Sequence, residues 1–163
     1  MVVRKLGSEE KKLLEELSSA VASAVEETAR ETGAEFYVSG PRKANWTELS
    51  SAVCYCTPSE TKAIEDKSGN SVVPTLVSLV ASVWSFREPK CSKLRVELEI
   101  SGTSETGSPV RSVLPMSAFF DDVPAAASFA KESLRSYAEM GIVGPGSKAP
   151  EMGEADGITY PIA

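Results

Sequence analysis

Apolar residues recur three and four apart between Ser8 and Thr32, at Leu13, Leu14, Leu17, Ala20, Val21, Ala24, Val25, Thr28 and Ala29. That spacing gathers them on one stripe of an α-helix. Glu15, Glu16, Ser18, Ser19, Ser23, Glu26 and Glu27 cover the remaining surface. Ser8 is placed to cap the first turn, Glu9 and Glu10 lie near the positive end of the helix dipole, and Gly33 supplies a stop. Such a stripe demands a packing partner, either within the chain or on a second subunit. Leu13, Leu17, Val21 and Val25 are accordingly candidates for self-association.

A second helical stripe follows Asp122-Val123-Pro124 and runs through Ala126, Ala127, Phe129, Ala130, Leu134, Tyr137 and Ala138 to Gly141. Between the helices the period changes. Leu94, Val96, Leu98 and Ile100 alternate with Arg95, Glu97 and Glu99, the mark of a strand with one buried and one wet face. Val110 to Met116 is placed to return as its hairpin partner, with Pro115 near an end or edge because it has no ladder donor.

Four other stretches are less regular. Residues 35–39 read as a short strand ended by Gly40-Pro41. Asn45 with Glu48 resembles a capping box for a helix reaching Cys56, although the same stretch also alternates like a strand. Thr57-Pro58-Ser59-Glu60 predicts a short polar helix to about Lys67. Pro74 to Arg87 carries a helical stripe of Leu76, Leu79, Val80, Val83 and Trp84 alongside β-branched content that suits a buried strand. Its length and its small Ser and Ala residues favour helix. The expected fold is therefore α+β with helix in the majority: a helical bundle-like core, one antiparallel β-hairpin and an extended C-terminal arm. Residues 1–143 form the globular domain. Residues 144–163, rich in Gly and Pro, form the arm, with Ile158, Tyr160 and Ile162 as its anchors.

Composition supports folding: of 163 residues, 42% are hydrophobic and 25% charged, outside the range of disordered chains. The net charge of −6 disfavours a general nucleic-acid surface. Arg87, Lys90, Lys93 and Arg95 form the one basic strip; beside Trp84 and Phe86 it is a candidate contact for an anion or RNA. The start at Met1 with Arg4 and Lys5, with no apolar signal segment, leads to an expected cytoplasmic location or an assembled virion. No stretch has the roughly 20 apolar residues that a transmembrane helix needs.

The chain has no histidine, which removes imidazole-based triads, general bases and metal ligands. Cys54, Cys56 and Cys91 lack a fourth ligand for a closed zinc site and read as small hydrophobic residues. Gly141-Ile142-Val143-Gly144-Pro145-Gly146 follows a helix rather than a strand and lacks the Gly-Lys-Ser/Thr of a phosphate loop. Exposure and capping account for Glu97, Glu99, Asp121 and Asp122. The sequence thus implies no catalytic residue, metal or cofactor. The expected function is a nonenzymatic structural protein that self-associates into a larger assembly, such as a viral coat-type subunit. The alternatives are a protein-binding adaptor, or a small ligand-binding protein or enzyme using Tyr37, Tyr55 or a cysteine.

Overall fold

A computed structural model describes residues 8–43, 50–87, 90–155 and 158–162. Helix α1 (Ser8–Thr32) is followed by strands β1 (Tyr37–Lys43), β2 (Ser50–Cys56), β3 (Ile64–Glu65), β4 (Ser71–Arg87), β5 (Lys90–Ser104) and β6 (Pro109–Phe120). Helix α2 (Val123–Glu139) and a hairpin of β7 (Met152–Ala155) and β8 (Ile158–Pro161) complete the chain. The main sheet has the antiparallel order β1-β2-β4-β5-β6, with β3 pairing against the start of β4.

Strand outweighs helix, 43% to 31%, which overturns the helix-majority, bundle-like expectation. The difference lies in three segments. Residues 50–56, in the stretch expected to be helical up to Cys56, are β2, and Pro74 to Arg87, also expected to be helical, belong to β4; the capping box of Asn45 and Glu48 lies outside the described residues. In place of a helix from 58 to 67 there is β3 and a turn in which Asp66 accepts backbone N–H bonds from Ser68 and Asn70, both at 2.9 Å. The predicted hairpin exists as β5 and β6, but as one part of a larger sheet.

Register explains why β4 is a strand. Val77, Leu79, Ala81 and Val83 lie opposite Ile100, Leu98, Val96 and Leu94 of β5, and all eight are buried in one cluster. Cys54 and Cys56 extend this layer onto β2 through Leu79 and Val77. Both helices cover it. Leu14, Leu17, Val21 and Val25 come from α1, and Ala126, Ala130, Leu134 and Tyr137 from α2. Ser85, on the same face, donates from Oγ to the Glu10 carboxylate at 3.0 Å and so pins the start of α1.

The helices run side by side in the same direction. Lys131 pairs with Glu27, and Arg135 grips Glu31 through two bonds of 2.9 and 3.1 Å. Asp122 caps α2 by accepting from the Ala125 N–H at 2.8 Å, as its sequence position predicts. Gly33 and Gly141 close the two helices with φ of 79° and 78°, values that a side chain rarely tolerates.

The segment after α2 lies on the body. Ile142, Val143, Gly144 and Ser147 are buried. Glu35 N–H donates to the Ser147 carbonyl at 2.9 Å, Thr57 N–H to Lys148 at 2.8 Å and Ser59 N–H to Ile142 at 2.7 Å. These bonds strap the chain between the approach to β1 and the exit of β2.

The outer strands are irregular. Edge strand β1 has a bulge between Ser39 and Arg42. At the opposite edge, β6 departs from the β5 register twice, once between Leu98 and Ile100 and again between Ile100 and Gly102. There Ser112 and Leu114 take φ of 55° and 46°, a conformation uncommon for residues other than glycine.

Candidate interaction face

The sheet's second face is built from the alternate positions of the same strands. On β5 these are Lys93, Arg95, Glu97 and Glu99; Trp84, Ser82, Val80 and Ser78 lie opposite them on β4. Phe119 and Ser117 of β6 are the cross-strand partners of Arg95 and Glu97. The extensive contacts of β4, β5 and β6 are with sheet neighbours and with the helices on the other face.

An aromatic cluster forms here around one guanidinium. Trp84 stacks on Phe86 at 6.4 Å between centroids and meets Phe119 edge-on at 6.2 Å. The Arg95 guanidinium lies 5.8 Å from both the Trp84 and Phe119 rings, within the range of cation–π attraction. Trp84 Nε1–H donates to Ser82 Oγ at 2.9 Å, which fixes the indole. Phe119 is 52% exposed, the highest value among the large hydrophobic residues described. Beside it a cleft of about 270 Å³ is lined by Phe86, Lys93, Phe119, Phe120 and Asp121.

The charges on this face are already paired. Arg95 forms an ion pair with Glu97, and Lys93 one with Asp121. The Asp121 carboxylate raises the Lys93 ammonium pKa above its ordinary value. Glu99 accepts from Ser112 Oγ at 2.7 Å. The basic strip inferred from the sequence thus places Lys93 and Arg95 against carboxylates, while the side chains of Arg87 and Lys90 lie outside the described residues.

The other predicted positions fall elsewhere. Leu17, Val21 and Val25 are fully buried against the chain's own sheet, with Leu13 packed at the margin. The demand of the α1 stripe for a partner is met within the chain. Tyr160 and Ile162 are 45% and 47% exposed on the small hairpin; the Ile158 side chain is outside the described residues. Phe119 was not singled out by the sequence. Its signal is the alternation of Met116, Ala118 and Phe120 toward the helices, which sends Phe119 the other way.

Of the cysteines, Cys91 lies on this face opposite Phe86, whereas Cys54 and Cys56 belong to the buried layer under the helices. Burial pushes the Cys54 and Cys56 thiols up to about 12, which leaves them protonated and weakly nucleophilic at neutral pH. Tyr37 and Tyr55 stack at 6.3 Å. Among the described residues no group of three Cys, Asp or Glu side chains is placed to hold a metal ion, and no helix is long and apolar enough to cross a membrane. Neither a protein-family model, nor a curated protein, nor a solved structure matches this chain.

Proposed function

We propose that this chain is a nonenzymatic structural protein that self-associates, and that the sheet face of β4, β5 and β6 is its principal contact. The observation that carries the reading is the exposed Phe119, clustered with half-buried Trp84 and Arg95 on a face opposite the helical layer. Large aromatics with an arginine at the centre of a polar surround are the composition of association surfaces rather than of plain solvent-facing sheet. The ion pairs of Lys93 and Arg95 favour a protein surface over a phosphate backbone, because cations already neutralised by carboxylates release few counterions.

A contact between identical faces closes at a dimer. A larger assembly, including the shell of a coat-type subunit, needs a second and different contact. Tyr160 and Ile162 on the β7–β8 hairpin supply exposed apolar groups suited to that role. The test is mass in solution over a concentration series, comparing the full chain with a version ending at Pro150. That end point retains the Ser147 and Lys148 strap. The expected result is a concentration-dependent oligomer for the full chain and a dimer for the shortened one. A full chain that stays monomeric to millimolar concentration overturns the reading.

A further inference from the structure

We propose that two copies pack face to face about a two-fold axis that crosses β5 between Arg95 and Glu97, an inference that rests on the self-association reading above. It comes from the order of charges along one strand. The wet positions of β5 read Lys93, Arg95, Glu97, Glu99, two positive and then two negative. Successive positions on one face are about 7 Å apart, so the strand presents a positive half and a negative half.

Two sheets can stack by a two-fold in two ways. An axis along the strands places like on like, Lys93 over the partner's Lys93 and Glu97 over the partner's Glu97, an arrangement opposed by like-charge repulsion. An axis across the strands reverses the partner's direction. Arg95 then faces the partner's Glu97, and Lys93 faces the partner's Glu99. Together with the ion pair inside each copy, the two Arg95 and two Glu97 side chains form a closed ring of alternating charge in which each has two opposite neighbours.

The same axis matches shape on the flanking strands. On β4 the positions equidistant from it are Ser82 with Val80, and Trp84 with Ser78. On β6 they are Phe119 with Ser117. On β6 each copy thus sets its Phe119 over the exposed Ser117 of the other, the large-against-small alternation that lets facing sheets close to their usual spacing of about 10 Å. Packed sheets cross at about 30°, and the Arg95–Glu97 and Phe119–Ser117 pairs lie nearest the axis, where that rotation displaces them least. Burial of Trp84 and Phe119 drives the contact, and the charge order selects its direction.

The experiment is a charge exchange. Arg95→Glu gives a chain with only carboxylates at the two central positions; Glu97→Arg gives one with only guanidinium groups. Each variant is brought to sedimentation equilibrium alone and in equimolar mixture, with circular dichroism confirming that both are folded. The proposal expects each alone to dissociate at least about 100-fold more readily than the parent and the mixture to recover a heterodimer. Variants that dimerise alone as well as the parent overturn this axis while leaving self-association standing. Folded variants that are monomeric alone and remain so when mixed overturn the antiparallel register. A parent chain that is itself monomeric removes both the axis and the reading on which it rests.

Discussion

Replacing Phe119 by alanine separates the sheet face's part in folding from its part in association. A fully buried Phe costs about 3–5 kcal/mol when truncated to Ala. Phe119 is 52% exposed, so roughly half that cost, about 1.5–2.5 kcal/mol, belongs to the isolated fold. The exposed half amounts to roughly 100 Å² of a side chain that can bury about 200 Å². At about 25 cal/mol per Å² this is about 2.5 kcal/mol per copy and about 5 kcal/mol for a symmetric pair. Association also orders side chains, so the full area value is an upper limit. The dimer dissociation constant should therefore rise between about 10-fold and about 1,000-fold. Urea unfolding at low concentration measures the first quantity and sedimentation equilibrium the second. Phe129 of α2, which packs on Phe120 at 5.2 Å and does not line the cleft, provides the control: its truncation should weaken the fold and leave association of the folded chain unchanged. An unchanged dissociation constant for Phe119→Ala refutes the assignment of the face. A loss of more than about 4 kcal/mol in monomer stability shows instead that Phe119 belongs to the core.

Three further outcomes are expected. Tyr137→Phe removes the hydroxyl that donates to the Leu114 carbonyl at 2.6 Å, at a cost of about 1–2 kcal/mol in urea unfolding; an unchanged midpoint would show that the β6 bulge holds without it. Raised folded-state pKa values at Cys54, Cys56 and Tyr137 mean that the unfolded chain gives up these protons first, so their contribution is complete below the unfolded thiol range and is lost as pH climbs through it toward about 12. The urea midpoint should be steady near neutrality and fall in alkali, less steeply in a Cys54→Ala/Cys56→Ala variant; an identical fall in that variant contradicts the assignment to the thiols. Gly102→Ala would place a Cβ 2.3 Å from the Val73 carbonyl oxygen, forcing β4 and β5 apart at a cost of about 3 kcal/mol or more. Native-like thermal stability of that variant would show that the strands yield there.

The parts of this fold readable from sequence are those in which one face is apolar and the other polar. Both long helices, the Asp122 cap and the alternation of β5 meet that condition. Strand β4 does not. Its helix-facing Val77, Leu79, Ala81 and Val83 are interleaved with Leu76, Val80 and Trp84 on the other face, so the period of two disappears and a four-residue spacing emerges by coincidence. Strand β2 suffers the same way, with Cys54 and Cys56 toward the helices and Val53 and Tyr55 on the other face. The apolar character of both faces is what hid the strand, Val53 and Tyr55 being buried although they lie on the second face. The site was legible only in fragments: Trp84 and Arg95 stood out beside one another in a basic, aromatic stretch, but Phe119 joins them through the β5–β6 register, which no local pattern encodes.

The bulged outer strands bear on how far association can proceed. A sheet grows indefinitely when a fresh strand can add along its rim. On β6 two breaks in register and the left-handed residues Ser112 and Leu114 interrupt the row of outward N–H and C=O groups, and Pro109 and Pro115 offer no N–H at all. On β1 the bulge at Gly40-Pro41 does the same. A chain with such rims can carry an apolar sheet face at high local concentration without templating fibrils. Association through the proposed face would then be finite in number of copies, because a face saturates after one encounter and such edges do not template strand addition.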